Sequence, residues 1–448
     1  MKKNKDREQE EKNMTKTRFN PYKRVEKIEV YLWGKFVGAA ALDPKLAYYV
    51  FAYDQSFGRS GIEIAPLHMP LNDNEEVYVF TDLPDETYKR LPAMLADSLP
   101  DDFGNALIDR YMADKGIARN QITQLDRLAY MGNRGMGALA FKPAHGPKTT
   151  KPTAIEMNTL VTEARKVVKG TLDGDYQTNA ALRSIIEVGT SAGGARAKAV
   201  IAWNPKTHEI QSGQVETQEG FEHWLLKFDG MGTDKELGIS EHYGRIEYAY
   251  YLMATHAGIK MTESRLLEEN GRAHFMTKRF DREGRSIKHH TQTLCAMNHL
   301  DYKKKSTNSY EQLLMTLDEL TLPHAAYVEI FRRMIFNIMG RNCDDHSKNF
   351  SFLLKEGSDW ELAPAYDVTF AHNPKGEWTM QHLMSVNGRY KNFTAKDITK
   401  VADRFGVGEA KQIIVDIRET IKRWPTFAKK AGLDETETKR IKKLHLLL

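Results

Sequence analysis

Asp344 and Asn349 stand five positions apart in the run Asn342-Cys343-Asp344-Asp345-His346-Ser347-Lys348-Asn349, and Asp367 follows 18 residues after Asn349 within Ala363-Pro364-Ala365-Tyr366-Asp367-Val368. Between them, Phe350-Ser351-Phe352-Leu353-Leu354 and Trp360-Glu361-Leu362 flank Glu356-Gly357-Ser358. Two apolar runs around such a turn predict a hairpin that returns Asp367 to the side of Asn349. An acid, an amide five residues on and a second acid beyond a hairpin match the spacing of a base and two Mg²⁺ ligands in phosphoryl transfer. That reaction asks a site to orient a hydroxyl, hold metal against crowded phosphate oxygens and neutralise developing charge. In this scheme Asp344 takes the hydroxyl proton, Asn349 and Asp367 hold Mg²⁺, and Lys348 offsets charge on the moving group. Mg²⁺ keeps several waters, so one carboxylate and one amide oxygen suffice. Taken alone, the same residues also suit a polar loop that caps its own backbone.

The rest of the chain sets the frame. With 448 residues it has room for two or three domains. Its 41% hydrophobic and 28% charged residues are those of a soluble globular protein. A net charge of +5 is too mild for a nucleic-acid coat. Two cysteines, Cys295 and Cys343, exclude a disulfide framework and a four-thiolate metal site, which fits a reducing, cytoplasmic setting. Residues 1–24 are charged and lack an apolar signal core, so they read as a solvated tail, and no apolar run reaches membrane-spanning length.

Periodicity divides the remainder. Alternation from Val25 to Phe51 around Trp33-Gly34-Lys35 predicts a hairpin, and Val77-Tyr78-Val79-Phe80 a further strand. From Asp85 to Ile117 the pattern is helical in pieces, broken at Pro92 and Pro100. These make a small α+β unit over residues 25–145, closed by the Pro, Lys and Gly-rich loop 143–152, after which a helix is expected from about Ile155 to Val168. A second unit, 146–280, carries Thr190-Ser191-Ala192-Gly193-Gly194-Ala195 running into a strand. Such glycines let backbone N–H groups approach phosphate oxygens. It is not a Walker A loop, because Lys198 follows Ala197 and no Ser or Thr follows Lys198; a plain surface loop would carry the same glycines. Lys227 sits in the apolar strand His223-Trp224-Leu225-Leu226-Lys227-Phe228. If buried it needs an anionic partner, and if on an edge it faces water. Glu247, on the helical segment Tyr243 to Thr255, is the carboxylate assigned to steady it. His274 to Asp281 reads as the strand leaving this lobe toward a hinge. Residues 281–448 are mainly helical, and Val328, Phe331, Ile335 and Ile338 mark an amphipathic helix over Ala325 to Met339 that presents the Asp344 loop. His346 is expected to orient Asp344 or bond the backbone, and Asp345 to face outward or to assist with phosphate charge only indirectly. The basic segment Glu435 to Lys443 reads as a solvated helix face.

With these residues in place the chain resembles the HipA-type serine/threonine kinases, toxins of bacterial toxin–antitoxin pairs associated with persistence. The resemblance rests on Asp344-x-His346-x-Lys348-Asn349, Ala365-Tyr366-Asp367-Val368, Lys227, Lys278-Arg279-Phe280-Asp281-Arg282, Asp97-Ser98-Leu99-Pro100-Asp101-Asp102-Phe103-Gly104 and Asn133-Arg134-Gly135-Met136-Gly137-Ala138-Leu139. It implies an α+β, two-lobed protein-kinase-like fold with a small N-terminal subdomain and a mainly helical C-terminal lobe. It further implies ATP and Mg²⁺ as cofactors, with ATP held by Lys227, Gly193, Gly194, Ala195, Lys198, Lys278, Phe280 and His346. The expected substrate is a translation-related protein such as an aminoacyl-tRNA synthetase, and the expected restraint a HipB-type helix-turn-helix antitoxin through which DNA is met only indirectly. Ser191 matches the serine that family members autophosphorylate in the glycine-rich loop. Two departures stand out: an extra glycine in that loop, and Lys278 where an acidic residue is common. A pseudokinase that docks a DNA-binding antitoxin and a small-molecule kinase are the alternative readings.

Overall fold

The computed structural model describes residues 22–71, 77–100, 102–147, 197–214, 216–229 and 242–448. The expected glycine-rich loop with Ser191, Gly193, Gly194 and Ala195, the helix from Ile155 to Val168 and most of the N-terminal tail lie outside the described residues.

Lys27–Leu32 and Lys35–Asp43 form the first hairpin, closed by Trp33 at φ 49° and Gly34 at φ 80°. Two consecutive positive φ values make the tight two-residue turn whose twist matches that of the strands. Tyr48–Tyr53 and Val77–Tyr78 extend this sheet on one side and Leu139–Lys142 on the other, all antiparallel. The helical pieces Asp85–Tyr88, Ala93–Asp97 and Asp102–Ala113 follow, the first two opening directly after Pro84 and Pro92. Proline at these points costs no intrahelical hydrogen bond.

A second antiparallel sheet runs Ile210–Ser212, Lys198–Trp203, Glu222–Lys227, Arg272–Lys278, Ser264–Glu269, and helix Tyr243–His256 packs beside it. Its central strands bury Trp224, Leu226, Ala199 and Ile201, which join the core of the N-terminal unit. A separate core fills the C-terminal lobe around helix His324–Gly340 and helix Ala410–Lys422. On helix His324–Gly340, Phe331, Met334, Ile335 and Ile338 are all fully buried, as the three- and four-residue spacing requires. Together these make a mixed α+β molecule with a sheet lobe, a helical lobe and an N-terminal subdomain whose core is continuous with that of the sheet lobe.

Candidate active site

Helix His324–Gly340 ends at Arg341, which adopts φ 58° and turns the chain sharply into the Asp344 loop. Four ties then fix that loop. Cys343 N donates to Ala371 O (2.9 Å), Asn342 Nδ2 to Asn337 Oδ1 (3.0 Å), Ser347 Oγ to Leu300 O (2.5 Å) and Asn349 N to His346 O (2.9 Å). Asp345, expected to face outward, is instead buried. Its carboxylate accepts from Tyr310 Oη (2.8 Å) and from Leu383 N (2.8 Å), and lies 2.9 Å from His382 Nδ1. A buried carboxylate survives only when its oxygens are satisfied, so Asp345 anchors the loop. Its neighbour Asp344 remains about half exposed, at 48%.

Strands Ser351–Leu354 and Trp360–Leu362 pair as the expected hairpin and carry the chain back to Asp367. Tyr366 locks the return: its Oη donates to Lys348 O (2.6 Å), with Ser351 Oγ 2.5 Å away. Asp367 itself sits at φ 53°. A non-glycine residue in the left-handed region is strained and persists where its surroundings over-determine it; here Ala365 N bonds Lys260 O (2.8 Å) and Tyr366 is clamped. Asn349 and Asp367 line one small cavity. Asn349 spends its Nδ2 on Asp344 O (2.7 Å), which leaves its amide oxygen as an acceptor.

Lys227 joins the two lobes. Its Nζ lies 2.5 Å from Glu247 Oε1 and 2.5 Å from Asp367 Oδ1. Burial alone would push the ammonium down, but the two carboxylates outweigh it and hold Lys227 above the ordinary lysine range. In turn burial would raise Asp367, yet Lys227 and then Lys198 lower it to about 2. Lys198 is buried and lies directly across the strand pair from Lys227. Asp367 is therefore ionised at neutral pH. Its carboxylate and the Asn349 amide oxygen are of the hard oxygen class that Mg²⁺ takes. Among the described residues no group of three His, Cys, Asp or Glu side chains forms a metal cage.

The remaining expected residues are distributed around this centre. His346 Nε2 is 3.9 Å from Asp344 Oδ1, its ring against Tyr302. Lys348 Nζ lies 5.1 Å from the centre of the Tyr302 ring and 3.9 Å from Asp97 Oδ1. Asp97 was not assigned a role from the sequence. It belongs to the N-terminal subdomain and is held by Thr293 N and Thr293 Oγ1, both at 2.8 Å; a separation of 251 positions from Lys348 leaves no local signal. At the hinge, Phe280 lies 5.8 Å from Tyr366, while Lys278 is drawn aside by Glu222 Oε1 at 2.6 Å.

A model of the HipA-like C-terminal domain matches residues 190–424, more than half of the chain. The chain belongs to the HipA-like family. A model of the HipA N-terminal domain matches residues 28–142 as well, so the family's two parts occur in order. The fold agrees with that of HipA from Shewanella oneidensis MR-1, solved with HipB and its operator DNA: TM-score 0.64, 18% identity, covering 93% of this chain and 95% of that one. A Haemophilus influenzae protein that carries a provisional kinase name is 39% identical over 101 residues, or 21% of this chain. The match spans 29% of that relative's length. Among the described residues no helix is long and apolar enough to cross a membrane.

Proposed function

We propose that this HipA-like chain is an ATP- and Mg²⁺-dependent protein serine/threonine kinase that acts as the toxin of a toxin–antitoxin pair. The observation that carries the reading is Lys227 held between Glu247 and Asp367 at 2.5 Å each, with Asn349 on the same cavity as Asp367. A lysine fixed by one acid from a helix and one from the metal-binding turn is the arrangement that grips nucleotide phosphates. Asp367 and Asn349 would hold Mg²⁺, which supplies charge neutralisation on the phosphate oxygens. Asp344, half exposed on a loop fixed at both ends, accepts the proton of the incoming hydroxyl at its carboxylate. Lys348, flanked by Asp97 and Tyr302, offsets charge on the group in transit. Lys198, Lys278, Phe280 and His346 border the nucleotide in this reading.

Ser191 is the proposed autophosphorylation site. Phosphate there adds about −1.5 to −2 charge where nucleotide phosphates must sit, which opposes ATP binding. A translation-related protein such as an aminoacyl-tRNA synthetase is the proposed substrate. A helix-turn-helix antitoxin that itself meets DNA is the proposed partner, supported by the HipB and operator DNA present with the Shewanella relative. Incubating the pure chain with γ-labelled ATP and Mg²⁺ tests the reaction. Label on the chain itself, lost in Asp344→Asn and in Asp367→Asn, is expected. Tight nucleotide binding without any label would make the chain a docking module instead.

A further inference from the structure

Side chains alternate across the hinge. Lys278 and Phe280 meet Glu222 and Tyr366, whereas Arg279 and Asp281 turn toward Gly135 and Gly137 of the N-terminal subdomain. On that second side, away from Phe280, lies a cavity of about 590 Å³ lined by Arg134, His223, Arg282, Arg285, Lys288 and Glu216, among others. Its charge is lopsided. Arg279 and Arg282 share the single buried carboxylate of Asp281, at 2.7 Å from each. Among the described residues Glu216 pairs with Arg285 alone, at 3.4 Å, and both are 60% exposed. Arg134 and Lys288 direct their charged ends to neutral oxygens, those of Gln214, Tyr130 and Asn133. Among the described residues, five cations thus face two carboxylates, one of them at the solvent rim.

Such a surplus is costly, because each buried cation without a counter-charge loses hydration and repels its neighbours. The effect shows on the groups themselves: burial, then Arg282 and Arg279, push Lys288 down to about 7, and burial followed by Arg279 pushes Arg282 to about 9. His223 lines the same cavity without adding charge: it is 6% exposed, its Nε2 lies 3.3 Å from Arg285 O, and burial followed by Arg279 pushes its imidazole down to about 4. Guanidinium forks beside an ammonium suit a tetrahedral oxyanion of charge near −2 better than a second carboxylate, because it brings twice the charge and more acceptor oxygens.

We propose that this cavity, between the N-terminal subdomain and the hinge, binds a phosphate-class dianion at Arg282, Lys288, Arg134 and Arg285. The site is separate from the nucleotide cleft and stands whether or not that cleft transfers phosphate. The phosphoryl group can be free or carried on a protein side chain; the chemistry recognised is the same.

Calorimetric titration of the full chain, saturated with Mg²⁺ and a non-hydrolysable ATP analogue to occupy the other cleft, tests this. Inorganic phosphate and a phosphoserine peptide are the probes, with sodium chloride at matched ionic strength as the control. Phosphate is expected to bind, and the double variant Lys288→Gln/Arg285→Gln to bind it at least tenfold more weakly while its affinity for the ATP analogue is unchanged. Binding of the peptide as tight as that of phosphate assigns the site to a protein-borne group; phosphate alone assigns it to a free anion. Heat from neither probe, or equal affinity in the double variant, overturns the proposal. As a check independent of the ligand, Lys288→Met without phosphate is expected to melt no lower than the parent chain; a clear drop would mean that the ammonium is already compensated.

Discussion

Lys227 and Lys288 are the same residue type under opposite electrostatics. Burial penalises both ammonium groups. Lys227 faces two carboxylates and is raised; Lys288 faces Arg282 and Arg279, with one acid shared between those two, and falls to about 7. What gives the two shifts opposite signs is the number of answering charges. Around Lys227 and Lys198 each cation has an acid in Glu247 or Asp367, so the frame is charge-balanced before any ligand arrives. Around Asp281 the cations outnumber the acids among the described residues, and the cluster stays electrostatically open.

The largest expected effect breaks the first cluster's chemistry. Asp344→Asn should lower phosphoryl transfer by about 10²–10⁴-fold, the usual contribution of a positioned acid–base group. Its unfolding midpoint should hardly move, since the carboxylate is half exposed; unchanged turnover of labelled ATP would remove Asp344 from the reaction.

Next, Asp281→Asn attacks the second cluster by leaving Arg279 and Arg282 without an anion. Breaking a buried pair by removing one partner costs about 3–5 kcal/mol. The change is measured as a drop in denaturant midpoint, and a loss below about 1 kcal/mol would show that Gly135 O and Gly137 O suffice for the guanidiniums.

A smaller, pH-dependent effect separates the clusters further. The Asp367 carboxyl is depressed from 3.8 to about 2 by Lys227 and Lys198 acting against burial. Its contribution is therefore fully present above about pH 4 and is lost as pH falls through about 2. Thermal melts of the parent chain and Asp367→Asn should differ at pH 7 and converge between pH 4 and 2. A gap that stays constant over that window would deny the ion pair.

Least of all should happen at the C-terminal helix Glu435–Lys442, where Lys439 meets Glu435 at 2.7 Å in water. Lys439→Ala should leave the melting midpoint unchanged, because solvent screens exposed pairs.

The contrast also marks what the residues disclosed before folding. Local periodicity located the hairpin that returns Asp367, the helix that presents Asp344 and the strand of Lys227, because each depends on neighbours a few positions away. Partners across the chain left no such trace. Asp345 looked like a twin of Asp344, yet Tyr310 and His382, 35 and 37 positions distant, pull it into the core. Arg279 and Arg282 read as hinge residues, while their purpose lies in Asp281 and in Gly137, 144 positions before it. Gly137 takes φ 75° there, and a Cβ would come within 2.9 Å of Thr291 Oγ1, so only glycine gives Asp281 that backbone N–H. The surplus of cations beside it appears only when the subdomain is docked.

Metal binding puts the balanced cluster to its sharpest trial. Mn²⁺, in place of Mg²⁺, can be followed by electron paramagnetic resonance with a non-hydrolysable ATP analogue, in the parent chain and in Asp367→Asn. The parent chain should hold nucleotide-bound Mn²⁺ and Asp367→Asn should lose it while still binding the nucleotide. Equal retention of Mn²⁺ by both would contradict the assignment of Asp367 and leave the Lys227 cluster as structure alone.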